Sequence, residues 1–175
     1  MKKLLFILLL SFPLFSAELV LKDGYVAAHT EMLIDSTIDP INNSLQADIT
    51  MDGSDIMTLR GKFWVEMNLF TSDKGNRDED MYEELEIGEF KIAIFNIANI
   101  IKSDSFDNYI IEGMLDFHGI KKELSAMAQI TVTDNGSVVI EATSKILMSD
   151  FGIEMPCLVF MCVRDRVDLI IKASF

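Results

Sequence analysis

Apolar and polar side chains alternate with a period of two through much of this chain. In KFWVEMNLF (62–70), Phe63, Val65, Met67 and Leu69 fall on one face, and Lys62, Trp64, Glu66 and Asn68 on the other. NYIIEGMLDF (108–117) aligns Tyr109, Ile111, Gly113, Leu115 and Phe117. ELSAMAQITVT (123–133) aligns Leu124, Ala126, Ala128, Ile130 and Val132 against Glu123, Ser125, Met127, Gln129 and Thr131. Val138, Ile140, Ala142, Ser144 and Ile146 share one face of the next run, and Val167, Leu169, Ile171, Ala173 and Phe175 one face of the last. This period belongs to antiparallel strands with one face in the core and one in water.

Turn residues separate these runs. Asp134-Asn135-Gly136 sits between two of them and is a strong hairpin signal. HGIKK (118–122) turns between two more, and SDKGN (72–76) ends the strand that carries Trp64. Eight or nine closely spaced strands predict a barrel or a sandwich. One segment departs from the pattern. NRDEDMYEELEIGEF (76–90) is charged, with Met81 and Leu85 at helical spacing. It predicts one short helix across an end of the barrel, capped by Asn76 or Asp78 and stopped at Gly88.

Length and charge then narrow the picture. The chain has 175 residues, one domain by size. Lys2 and Lys3, an apolar run to Phe15 and the small pair Ser16-Ala17 have the layout of a secretory signal peptide over residues 1–17. Residues 18–175 are then the mature domain, in a periplasmic or secreted setting. Removing Lys2 and Lys3 takes the formal net charge from −13 to −15. Such a protein is repelled by nucleic-acid phosphates and anionic lipid surfaces, which excludes nucleic acid as a main partner. Cys157 and Cys162 are the only cysteines. Five residues apart, they pair only if the chain turns between them, for which Pro156 offers a means; pairing is left open.

Candidate chemistry is sparse. There is no nucleophile elbow, phosphate-binding loop or paired-cysteine zinc motif. His29 and His118 are the only histidines. They are either hydrogen-bonded residues at strand ends or, if the barrel brings them together, metal ligands or general bases. The acidic helix lacks the spacing of a calcium loop and reads as a solvated face. The inward apolar positions, among them Phe63, Val65, Met67, Leu69, Tyr109, Leu115 and Phe117, either fill the barrel or line a cavity. Twelve Phe and eleven Met suit either reading, and composition alone favours a core.

The segment IIEGMLDFHGIKKEL (110–124) resembles the signature of the YceI-like family of secreted polyisoprenoid-binding proteins, carried here by Gly113, Leu115, His118 and Gly119 with Lys121 or Lys122 following. A second block, residues 69–95, is similar to the family's Ser, Arg-Asp, helix and Phe-ended strand through Ser72, Arg77, Asp78, Leu85 and Phe95. SDFGI (149–153) and VRDRVDLIIKA (163–173) resemble its last strands. Asp80 stands where the family often has His, and Lys91 where it often has Pro. The resemblance implies an all-β, lipocalin-like antiparallel barrel of about eight strands with one or two short helices. It implies an apolar tunnel holding a long isoprenoid, a polyprenyl phosphate or a quinone-like lipid, in a non-catalytic carrier or sensor without any other cofactor.

On that reading the tunnel wall is drawn from Phe63, Val65, Met67, Leu69, Phe95, Tyr109, Leu115 and Phe117. His29, Arg77 and His118 are left for a head group or a turn, and no residue is nominated as catalytic or metal-binding. Two alternatives stay open. One is a histidine-dependent metalloprotein or enzyme. The other is a small outer-membrane barrel, suggested by the apolar alternation that ends at Phe175 but short of aromatic residues for two girdles.

Overall fold

The computed structural model describes residues 16–32, 36–72, 74–104, 108–158 and 161–175. Residues 1–15, most of the expected signal segment, lie outside the described residues, so the division at residue 17 stays an expectation. In chain order the strands are β1 (Ser16–Leu19), β2 (Asp23–Met32), β3 (Ser36–Ile38), β4 (Ile41–Asn42), β5 (Gln46–Asp52), β6 (Asp55–Glu66), β7 (Ile92–Lys102), β8 (Asn108–Phe117), β9 (Ile120–Val132), β10 (Val138–Leu147), β11 (Cys157–Leu158), β12 (Met161–Cys162) and β13 (Arg166–Ser174). One α-helix, α1 (Gly75–Glu84), and two 3-10 turns, Met67–Leu69 and Met148–Phe151, complete the described elements.

Eight strands are long and follow one another round a curled antiparallel sheet in the order β5-β6-β7-β8-β9-β10-β13-β2. This is the expected lipocalin-like barrel. No ladder among the described residues joins β2 directly to β5. The seam is spanned instead. β1 lies on the free edge of β5 and runs on into β2. β3 and β4 line the outer edge of β2 on either side of Pro40. Ile41 of β4 exchanges two backbone hydrogen bonds with Thr71, beyond the end of β6. Asn42, fully buried, donates through Nδ2 to Glu66 O at 2.8 Å and accepts through Oδ1 from Ser44 N at 2.8 Å.

The period-two faces become the two surfaces of the sheet. Along β9 and β10, Ala126, Ala128, Ile130, Val138, Ile140, Ala142 and Ile146 are buried, while Ser125, Met127, Gln129, Glu141 and Lys145 are exposed. His118 and Gly119 close the β8–β9 hairpin with φ of 50° and 71°, and Phe117 pairs with Ile120. Two successive left-handed residues make the turn whose twist matches the strands.

Several local expectations are corrected. Alternation stops at Met67 because the chain enters a 3-10 turn there, so Leu69 is 40% exposed rather than inward. The helix begins at Gly75 with Lys74 at its N-cap, and neither Asn76 nor Asp78 caps it. Asp78 turns back instead and accepts from Ser72 N and Ser72 Oγ. The helix ends at Glu84, with Leu85 as its C-cap and Glu86 left-handed (φ 45°), before Gly88 is reached. Cys157 and Cys162 are cross-strand partners of the β11–β12 hairpin and are disulfide-bonded. Pro156 precedes that hairpin, and its carbonyl accepts from Val163 N.

Gly61 is the tightest point of the sheet. Its φ is 126°, and a Cβ there would lie 2.0 Å from Asp48 O on β5. Both the conformation and the contact exclude a side chain. Gly61→Ala is expected to lower the unfolding free energy by about 2–4 kcal/mol, read as a lower urea midpoint at unchanged slope. A wild-type midpoint would show that β5 and β6 do not meet this closely.

Candidate functional site

The inward faces do not fill the barrel. One end holds a cavity of ≈ 690 Å³. Its wall takes alternate residues from most of the long strands: Val26, Ala28, Thr30 and Met32 from β2; Phe63 and Val65 from β6; Ala93 and Phe95 from β7; Ile111, Leu115 and Phe117 from β8. Leu124 and Ala126 continue it on β9, Ile140 to Ile146 on β10, and Val167 to Ile171 on β13. Room arises where the inward residue is small, as at Ala126 and Ala142. Gly113 instead makes way for a wall residue: a Cβ on it would meet the Phe95 ring at 2.5 Å, so the ring lies across the glycine. Among the described residues the only hydroxyls on the wall are committed to backbone. Ser144 Oγ donates to Ser125 O at 2.7 Å, and Thr30 Oγ1 lies 3.1 and 3.0 Å from Arg164 O and Arg166 O. The interior of the cavity therefore offers almost pure hydrocarbon.

The other end of the barrel is solid. Ile49, Met51, Leu59, Ile100, Val138 and Ala173 are at most 2% exposed, and none touches the cavity. Tyr109 belongs to this level, paired with Ala128 below the cavity, and so is not on its wall. Strands that tilt across a barrel carry one face through both halves, and a period of two cannot tell a deep position from a shallow one.

The mouth is formed by α1, β3 and the segment around the disulfide hairpin. Met81 of α1 and Leu85 at its C-cap face inward, with Ile38, Pro40, Met155 and Val163 around them. Tyr82 pins the helix: its hydroxyl donates to Phe70 O at 2.6 Å. Burial, then the Asp78 carboxylate, raises the pKa of that phenol. Arg77 reaches across to β3, where Nη1 donates to Thr37 O at 2.9 Å. Asp80, Glu83 and Glu84 complete the rim and are exposed. Among the described residues the rim thus carries three carboxylates to one guanidinium.

Of the positions expected from sequence, Phe63, Val65, Met67, Phe95, Leu115 and Phe117 are on the cavity wall and Arg77 is on the rim; Leu69, Tyr109, His29 and His118 are elsewhere. His29 sits between Ala28 and Thr30, both inward, so it points out of the barrel. There its Nδ1 meets Asp39 Oδ1 at 2.5 Å. His118 Nδ1–H donates to Phe151 O at 3.0 Å, tying the β8–β9 turn to the 3-10 turn before Gly152. The Phe90 ring covers the imidazole at 4.1 Å between centroids. Its Nε2 lies 3.1 Å from Glu86 Oε2 but out of hydrogen-bond alignment. The two histidines share no partner, and no three His, Cys, Asp or Glu cluster for a metal among the described residues.

Sequence reading missed the β2 wall and the rim carboxylates. Val26, Ala28, Thr30 and Met32 do alternate with Tyr25, Ala27, His29 and Glu31. Ala on both faces and Thr on the inner one blur the contrast. The rim depends on which side of α1 meets the barrel, which spacing alone does not fix.

A curled antiparallel barrel of eight long strands around a blind apolar cavity defines a lipocalin-like binding fold. The sequence pattern of the YceI-like domain matches residues 21–175, and the chain belongs to that family. No curated protein matches it. Among solved structures it is similar to BcnA of Burkholderia cenocepacia, with a TM-score of 0.75 at 11% identity over 87% of this chain and 96% of that one. A polyisoprenoid binding domain from Saccharophagus degradans, implicated in plant cell wall breakdown, gives 0.68 at 10% identity over 88% and 95%. The Campylobacter jejuni YceI protein gives 0.61 at 14% over 100% and 98%. At these identities the likeness is one of fold.

The His29–Asp39 contact ties β2 to the segment beside the mouth, since Thr37 Oγ1 also donates to Asp39. The hydrogen bond to Asp39, then the nearby charges of Asp39, Glu31 and Asp168, raise the His29 pKa above 6.5. Hydrogen bonds from Thr37 and His29 lower that of Asp39 below 3.8. His29 therefore contributes stability that is full below pH 6.5 and lost as pH rises through its higher folded value. The Asp39 contribution is present above pH 3.8 and lost as pH falls through its lower folded value. An NMR titration should place the His29 midpoint above 6.5, and Asp39→Asn should bring it back toward that value. An unshifted wild-type midpoint would contradict the contact.

Proposed function

We propose that this protein is an exported, non-catalytic carrier or sensor that holds a long isoprenoid in the barrel cavity, with an uncharged head group at the rim. The observation that carries this reading is a ≈ 690 Å³ cavity whose wall is apolar and whose hydroxyls are already committed to backbone carbonyls. A hydrocarbon tail gains about 0.8 kcal/mol per buried CH₂, less the cost of ordering the chain. A polar substrate would find nothing on that wall to replace its water. The polyisoprenoid-binding description of the similar Saccharophagus degradans domain supports the same ligand class. The signal-like segment at residues 1–17 and the Cys157–Cys162 disulfide support an exported, periplasmic or secreted setting.

The rim favours a quinone-like or alcohol head over a phosphate. Asp80, Glu83 and Glu84 face the mouth, and Arg77, the one cation there among the described residues, donates to Thr37 O. The catalytic or metal alternative loses support because His29 and His118 lie off the cavity with partners of their own. The outer-membrane alternative loses support because the outward face carries Lys62, Glu123, Gln129, Glu141 and Lys145 where a lipid-facing band would be apolar.

Organic extraction of the purified protein followed by mass spectrometry is expected to release an isoprenoid lipid. Added geranylgeraniol should bind more tightly than geranylgeranyl phosphate by roughly 5-fold, about 1 kcal/mol for exposed like charges, with a wider gap at low salt. Asp80→Asn with Glu83→Gln and Glu84→Gln should narrow the gap. Absence of any bound lipid together with no binding of either probe would defeat the reading.

A further inference from the structure

The boundary between cavity and solid core is made by a small set of side chains. On β10 the wall runs from Ile146 through Ser144 and Ala142 to Ile140, and Val138, the next inward residue, is fully buried outside the cavity. On β6 the wall ends at Phe63, and Leu59 beyond it is fully buried. On β13 it ends at Ile171, with Ala173 fully buried beyond. The Phe63 ring is backed by the Phe175 ring, 6.5 Å away between centroids. The cavity is therefore a cup with a floor, not a tunnel open at both ends.

We propose that this floor, Phe63 and Ile140 backed by Phe175, stops the tail of the bound isoprenoid and sets the chain length the protein selects. The proposal rests on the isoprenoid reading above and adds a selectivity device to it. From Met148 to Ile140 the wall spans eight residue steps, about 26 Å of strand at roughly 3.3 Å each. A strand tilt near 40° leaves about 20 Å along the barrel axis. An extended chain of single bonds advances roughly 1.2 Å per bond. With four bonds per isoprene unit, the cup takes about four units in line. Carbons beyond the floor gain no contact, because the residues under it are packed as a protein interior with no room to yield.

Side chains at the floor should move the limit in both directions. Ala142 lies one inward step above Ile140, so a larger side chain there projects into open cavity and raises the floor. Phe63→Ala removes the ring and lowers it. The test is a binding series of geraniol, farnesol, geranylgeraniol, hexaprenol and solanesol on the full chain, read by calorimetry, with folding of each variant checked by circular dichroism. For the wild type, affinity is expected to rise about 10-fold or more with each added unit as far as geranylgeraniol, then to level within about 2-fold. Ala142→Leu should bring the break down by about one unit, and Phe63→Ala should move it up. Should Phe63→Ala fail to fold, Ala142→Leu alone decides, since it opens no void. Affinity that keeps rising to solanesol, or a break unmoved in folded Ala142→Leu, overturns the floor as a ruler. Failure of every prenyl alcohol to bind the wild type overturns the isoprenoid reading beneath it, which is a different result.

Discussion

The barrel depends on closing a seam where, among the described residues, no ladder joins β2 to β5. A curled sheet that stops short leaves two rows of unpaired backbone groups and an open side to its apolar interior. Here the closure is concentrated at β4. Ile41 bridges to Thr71, and Asn42 puts a fully buried amide between β2 and the end of β6. An unpaired buried amide costs about 1–3 kcal/mol for each group left unsatisfied, which is why both ends of this one are bonded. The same junction holds β3 and Pro40 over the mouth. A hydrocarbon cavity can exist only because this side of the barrel is shut against water.

The two halves of the interior then divide the work of stability and binding. The lower half is packed with Ile, Leu, Met and Val at close to zero exposure and supplies the burial that folds the domain. The upper half forgoes burial, with Ala126 and Ala142 where larger residues would fill the space. An apolar void of this size is unfavourable because its lining lacks contacts on one side. The hydrogen-bonded barrel keeps the wall from collapsing, and a ligand that fits the space restores the missing contacts. Ligand binding and stability are linked for that reason: a molecule that occupies the cup adds its binding free energy to that of the fold.

How much could be read from sequence follows the same physics. Strands with strong contrast, β8 to β10 and β13, were legible: β8 to the residue, β10 and β13 to within one residue, and β9 except for its first three, which follow the His118-Gly119 turn directly. β2 was not, because its inner face is Val, Ala, Thr and Met against an outer face that also contains Ala. In β7 a bulge between Ile97 and Asn99 shifts the register, so the buried residues Ile97 and Ile100 stand three apart and no single period describes the strand. Six of the eight positions expected to line a tunnel do line the cavity. Leu69 failed where a 3-10 turn ended the strand, and Tyr109 failed because alternation reports the face and not the depth. Of the two readings left open for His29, the structure has the hydrogen-bonded one: it lies near the end of β2, bonded to Asp39, and its place between two inward residues turns it outward.

A wall of hydrocarbon discriminates weakly among ligands of similar shape, since each methylene adds only a fixed increment. Selectivity in such a site has to come from its two ends. At the rim the discriminating force is electrostatic, long in range and weakened by salt, acting through Asp80, Glu83 and Glu84 on whatever charge the head group carries. At the floor it is steric, short in range and insensitive to salt, acting through Phe63 and Ile140 on the last carbons of the tail. Head-group preference and chain-length preference should therefore separate cleanly on a change of ionic strength, the first shrinking as salt is raised and the second holding. Neither end needs a reactive group, and the hydroxyls of Thr30 and Ser144 on the wall between them are turned away into the backbone.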